Sequence, residues 1–166
     1  MEWKNIVNIE NLKLEIGPGV EPYLGDFKRP ATDMGAKKLG FNIHTIPTGQ
    51  FSCPYHFHHA EEELFLILDG KAILRQSGSY REVTRGDLIY FCIGHEGAHQ
   101  LYNHSDKVLR ILAISNSDPK DVCEYPDSKK LFDREKRKIL QNGQEVDYWK
   151  DELAPQDFWP KNYLKK

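Results

Sequence analysis

"PYHFHHAEEELFLILDG", residues 54–70, sets three of the chain's seven histidines and three consecutive glutamates directly before an almost unbroken apolar run. His56 and His58 stand two apart in a stretch of strand type, so in extended backbone both imidazoles point to one face and can share one ion. Glu63 opens the run "ELFLILD" (63–69), where an inward carboxylate is costly unless a cation or good hydrogen bonds offset it. The run itself is apolar on both faces, which predicts a central strand packed on each side. Further on, His99 opens "HQLYN" (99–103) in the same manner. Three imidazoles and one carboxylate suit a first-row divalent metal, with coordination positions left open for water or substrate.

Outward from this stretch the chain reads as short strands punctuated by Gly and Pro. "LGFNIHTI" (39–46), "FSCPYHF" (51–57), "KAILRQ" (71–76), "YREV" (80–83), "DLIYF" (87–91), "HQLYN" and "LRILAIS" (109–115) join "ELFLILD" as runs rich in branched and aromatic residues. No helical period separates them, so parallel crossovers are excluded and an antiparallel all-β sandwich or barrel is expected. "QSGSY" places Ser77 and Gly78 at a hairpin tip. Residues 1–34, with Trp3, Ile6, Leu12, Leu14, Ile16 and Tyr23, carry enough apolar positions for an arm laid on the barrel but not for a second core. Residues 35–120 hold the barrel. The tail, 121–166, is partly helical or extended, with "SKKLFDREKRKILQNG" the stretch suited to a short helix and Tyr148, Trp149, Phe158 and Trp159 as anchors.

The spacing of the polar residues resembles the two motifs of the cupin superfamily, small double-stranded β-helix (jelly-roll-like) barrels. Gly49, His56, His58, Glu63 and Gly70 occupy the places of the first motif, with one extra residue between Gly49 and His56. Gly86, Cys92, Gly94, His99 and Asn103 look like the second. Cys92 stands where the family usually has Pro, and two extra residues within "GHEGAH" separate Gly94 from His99. The inserted form, together with "CEYPDSKK" and "VDYWKDE", resembles a subgroup of uncharacterised single-domain cupins, some provisionally labelled sugar-phosphate isomerases. The resemblance covers roughly residues 35–150. It implies that His56, His58, Glu63 and His99 bind one divalent transition metal ion (manganese, iron, nickel or zinc), and it leaves the substrate open, because one fold hosts many chemistries.

With 23 Lys and Arg against 25 Asp and Glu, spread along 166 residues, no basic block tracks a phosphate backbone, so nucleic acid is not an expected partner. No run approaches the length of a membrane span, and the N-terminus lacks a leader pattern, so a cytoplasmic protein is expected. Cys53, Cys92 and Cys123 are odd in number and widely spaced, which suits reduced, buried thiols. Chains with apolar outer strands and long arms bury them against a partner, so a homodimer is expected.

His59 has the wrong strand parity beside His58, and His95 sits between glycine turns, so both read as solvated. Glu61 and Glu62 read as the solvated mouth of the site, or as outer partners of the ligands or a general base. Arg75, Arg81 and Arg110 are expected to point outward, and Tyr55, Phe57, Phe65, Tyr90 and Tyr102 to be core or rim aromatics. The leading expectation is a metal-dependent enzyme acting on a small polar metabolite by Lewis-acid chemistry, as in sugar or sugar-phosphate isomerisation. An iron-dependent dioxygenase and a non-catalytic metabolite-binding barrel are the alternatives, and no catalytic residue is assigned.

Overall fold

The computed structural model describes residues 3–164. The run "ELFLILD" forms β5 (Glu63–Asp69), held between β10 (Leu109–Ser115) and β8 (Leu88–Phe91). Its period of two sends Phe65 and Ile67 into the interior, opposite Ala113 and Ile111 of β10, while Leu64 and Leu66 lie half-buried on the outer face. The chain then turns at Asp69–Gly70 into β6 (Lys71–Gln76). Gly70 has φ +80°, and a Cβ there would meet the Val108 carbonyl oxygen at 2.8 Å, so only glycine lets the turn pass the start of β10.

Two layers result. The first is a six-stranded antiparallel sheet in the order β1 (Glu15–Ile16), β2 (Asp26–Lys28), β3 (Gly40–Ile46), β10, β5, β8. The second holds β7 (Ser79–Thr84), β6 and β9 (His99–Tyr102). Bridges Phe51↔Tyr102 and His56↔His99 tie β9 to the segment that enters β4 (Phe57–His58). From β4 a further sheet runs through β11 (Val122–Tyr125), β12 (Lys130–Asp133), β13 (Lys138–Gln141) and β14 (Gln144–Glu145). Ile46, Phe65, Ile67 and Ile111 from the first layer pack on Leu74, Val83 and Leu101 from the second. This is the all-β, double-stranded β-helix arrangement.

Three sequence expectations change in detail. "FSCPYHF" is not one strand: Phe51 and His56 make single bridges and only Phe57–His58 is regular, because Pro54 has no N–H to give a ladder. The stretch suited to a helix is instead the β12–β13 hairpin, with Asp133 accepting from the Lys136 N–H (2.9 Å) at its charged tip. Tertiary pairing with β11 overrides the helix propensity of its Lys, Arg and Glu. In the arm, Tyr23 is buried and Leu12 and Leu14 are half-buried, but Trp3, Ile6 and Ile16 remain exposed.

The segment after β10 is fastened over the barrel. Trp159 is buried and donates its indole N–H to Gln100 (2.8 Å), and Trp149 stacks on Tyr23, whose hydroxyl donates to the Glu152 carbonyl (2.8 Å). Arg75, on β6, forms a two-pronged ion pair with Asp127 (2.6 and 2.8 Å) and lies 3.8 Å from the Tyr55 ring centroid. Such a fork is geometrically specific as well as strong.

Candidate metal centre

Every imidazole of the proposed set has one nitrogen held by the protein. His56 Nδ1 faces the Pro54 carbonyl (2.9 Å), His99 Nδ1 the Gly97 carbonyl (2.9 Å), and His58 Nδ1 the Asp121 carboxylate (2.6 Å). Each partner is an acceptor, so each Nδ1 carries the hydrogen and donates it. The lone pair is thereby placed on Nε2 in all three rings. These three Nε2 atoms converge on one oxygen, Glu63 Oε2, at 3.9 Å from His56, 3.5 Å from His58 and 3.3 Å from His99. His56, Glu63 and His99 present ligand-type atoms all within 4.8 Å of one another.

The chemistry of this meeting point fits a cation. Glu63 Oε2 and His99 Nε2 are buried and make no hydrogen bond despite their closeness. Burial pushes the His99 pKa down, beyond what Glu63 restores, so that ring is neutral and faces the carboxylate lone pair to lone pair. Burial pushes the Glu63 carboxyl up, and only positive charge on the side of the imidazoles offsets it and holds the acid down; with the rings neutral, a bound cation would supply that charge. Two buried acceptors facing each other are unfavourable, and a shared cation is what such a pair is built to take. Cys123 Sγ also lies within 4.8 Å of nitrogens of His56 and His58, but burial raises its thiol far above the usual range, so it stays protonated and is a poor ligand. Burial likewise pushes the Cys53 thiol up to about 12.

Local structure explains the geometry. Between Gly94 and His99 the three residues His95–Gly97 form a 3₁₀ turn, and its last carbonyl is the one that orients the His99 ring. A Cβ at Gly97 would lie 1.8 Å from the Cys92 carbonyl oxygen, so the insertion requires glycine at this point. Phe91, on the neighbouring β8, stacks flat on His99 (3.6 Å between centroids, 11°) and fixes its plane.

Asp121 is the functional residue that sequence reading missed. It lies outside the barrel motifs, just before β11, with no local pattern to mark it, and it reaches His58 across 63 positions of sequence. Its other oxygen accepts from the N–H groups of Ala60 (2.9 Å) and Glu61 (3.3 Å). Burial raises its pKa, but the hydrogen bonds from His58 and Ala60 outweigh it and keep the carboxylate ionised. Glu61 is a correction: it is buried rather than solvated, locked in a two-pronged ion pair with Arg134 of the β12–β13 hairpin. Glu62 is exposed and accepts from the Tyr90 hydroxyl, His59 is exposed and faces Glu124 (3.0 Å), and His95 is exposed. Arg75 and Arg110 are engaged by Asp127 and Glu10, away from the cluster.

Asp121→Ala is expected to weaken divalent-metal binding by roughly ten- to hundredfold, the usual cost of losing an outer carboxylate that orients a ligating histidine. Asp121→Asn, whose amide oxygen can still accept from His58 Nδ1, is expected to lose less. Competition titration against a fluorescent chelator measures both, and equal affinity in Asp121→Ala and wild type would remove Asp121 from the site.

A cavity of about 580 Å³ opens from the cluster. His56 and Glu63 stand on its wall with Asn42 and His44 of β3, Arg29 and Phe27 of the N-terminal segment, and Tyr148 and Trp149 of the C-terminal one. His44 was within reach of sequence reading: Asn42, His44 and Ile46 share one face of β3, and the register puts His44 opposite the buried Ile111.

The model of the cupin domain family matches residues 42–115, which hold all four clustered side chains. Among solved structures, a provisionally named sugar phosphate isomerase from Acidithiobacillus ferrooxidans superposes with a TM-score of 0.72 at 25% identity, covering 86% of this chain and 90% of that one. A sugar phosphate isomerase of the cupin superfamily from Silicibacter pomeroyi gives 0.74 at 16% identity over 86% and 97%. The polyketide cyclase RemF from Streptomyces resistomycificus gives 0.63 at 18% identity over 96% and 98%, and so shares the fold. No curated protein matches the chain. The matched segment, the two-layered barrel and the histidine–glutamate cluster agree, and residues 42–115 match the cupin domain family.

Proposed function

We propose that the protein is a metal-dependent enzyme that isomerises a small polar metabolite of the sugar or sugar-phosphate class. The observation that carries this reading is the convergence of three oriented Nε2 lone pairs and one carboxylate at the wall of a metabolite-sized cavity. His56, His58, Glu63 and His99 would hold the ion, which supplies a Lewis acid for a carbonyl or enediolate oxygen. The relative from Acidithiobacillus ferrooxidans supports the substrate class through its name.

An isomerisation of this kind also needs a group that moves a proton between neighbouring carbons. His44 is suited to it. It lines the same cavity as His56 and Glu63, and burial, reinforced by the positive charge of Arg29, lowers its pKa, against a smaller opposing effect of Glu63. The ring is therefore a neutral base at pH 7. His44→Gln is expected to reduce kcat by roughly 10²- to 10⁴-fold with metal content unchanged. In the wild type the acid limb of the rate profile should fall only below the ordinary histidine range, because the base works unprotonated and its pKa is depressed. Aldose–ketose interconversion followed by NMR in deuterated water, which also records proton uptake from solvent, measures both. Failure of manganese- or zinc-loaded protein to interconvert any aldose or aldose phosphate overturns the isomerase reading, and iron as the ion held by purified protein would point to oxygen chemistry instead.

Among the described residues no helix is long and apolar enough to cross a membrane. Three free thiols support a reducing, cytoplasmic setting. The exposed side chains of Leu88 and Tyr90 on the outer face of β8 support a homodimer that covers them.

A further inference from the structure

Arg29 is the sole Lys or Arg among the described residues that line the cavity, and no carboxylate of the described residues lies within ion-pair distance of it. Several other cations are already paired. Lys28 is held by Glu15 (2.8 Å) and Asp33 (3.3 Å), Arg75 by Asp127, Arg110 by Glu10 and Arg134 by Glu61. The Arg29 guanidinium is instead laid over the Phe27 ring, 5.3 Å from its centroid, and Phe27 lies beside His44, its partner in the β2–β3 register (6.3 Å between rings, 29°). Aromatic backing holds the planar fork without using its donors. Asn42 stands two residues before His44 on the same face of β3 and adds an amide to that wall. The other acids on the wall are Glu63, turned to the histidines, and Asp26, which makes no ion pair with Arg29.

We propose that the cavity takes a metabolite with a terminal oxyanion, phosphate or carboxylate, and that Arg29 receives this group while the other end of the molecule reaches the histidine–glutamate cluster. An unpaired guanidinium on an apolar cavity wall is matched by a planar or tetrahedral oxyanion that accepts two N–H bonds at once. His44 lines the same cavity as Arg29 and Glu63 and lies beside Phe27, so the middle carbons of such a ligand would pass its ring. The inference rests on the proposed metal-dependent chemistry for the far end of the ligand, whereas the role of Arg29 is separable from it.

Calorimetric titration of manganese-loaded protein with two matched pairs tests this: ribose 5-phosphate against ribose, and glucuronate against glucose. At least one anion should bind about tenfold or more tightly than its neutral analogue, as expected for charge-assisted hydrogen bonds. The pair that responds identifies phosphate or carboxylate. Arg29→Ala should reduce the preference below about threefold with metal content unchanged, while Arg85→Ala, which removes the same charge from the turn between β7 and β8, should retain it. No preference in the wild type, or a preference that survives Arg29→Ala or is lost equally in Arg85→Ala, overturns the proposal. Binding is read without turnover, so an Arg29-dependent preference in a protein that interconverts no sugar would overturn the isomerase reading alone. Turnover of neutral sugars without preference would overturn the oxyanion site alone.

Discussion

His58→Ala is expected to reduce the divalent metal bound by the purified protein by more than the roughly ten- to hundredfold that the loss of an outer partner such as Asp121 costs. The fold should persist. His58 sits in β4, where the backbone pairing with Cys123 is independent of the side chain, and Asp121 keeps the N–H groups of Ala60 and Glu61 when the imidazole is gone. No charge is left buried without partners, so the usual route to severe destabilisation is closed. Elemental analysis after dialysis against manganese, with circular dichroism as the control for folding, gives the answer. Unchanged metal content would show that the cluster is not the site.

The largest expected loss of stability lies elsewhere, at Lys130. Its side chain is 1% exposed, with the ammonium 3.0 Å from Glu152, whose side chain is only 4% exposed, and it also donates to the Tyr148 carbonyl. The Ser128 hydroxyl donates to the same carboxylate (2.6 Å), and burial pushes the Glu152 pKa up even against these partners. Lys130→Met removes the cation and strands the acid, which should cost about 3–5 kcal/mol. In a chain of this size that is a fall in Tm of about 6–20 °C. Lys130→Met with Glu152→Leu should recover most of the loss, because an apolar pair of similar volume needs no desolvation of charge. Thermal melts followed by circular dichroism discriminate: a single substitution within about 1 kcal/mol of wild type would mean that the ion pair is not closed off from water.

Much of the barrel was legible because its strands repeat every two residues and are closed by glycine. "ELFLILD", "KAILRQ" and "LRILAIS" are β5, β6 and β10 to the residue. The four polar residues that meet could be named because two sit at strand parity and two open apolar runs where a polar group needs a reason. What stayed hidden depended on distant chain. Asp121 and Arg134 acquire their roles only when β11 docks beside β4, a pairing no local pattern encodes. Glu61 looked solvated because the arginine that neutralises it lies 73 positions away. The same applies to the "LFDREKRK" hairpin, whose intrinsic preference for helix is overruled by an edge that needs a partner.

The bond between Asp121 and His58 also bears on the order in which the molecule matures. All four clustered side chains belong to residues 56–99, yet the tautomer and aim of one of them await a carboxylate delivered after the last barrel strand. Long-range contacts of this kind form late, since loop closure has to precede them. A high-affinity ion site would then exist only once the C-terminal sheet is in place, and acquisition of metal would mark the completed chain rather than the nascent barrel.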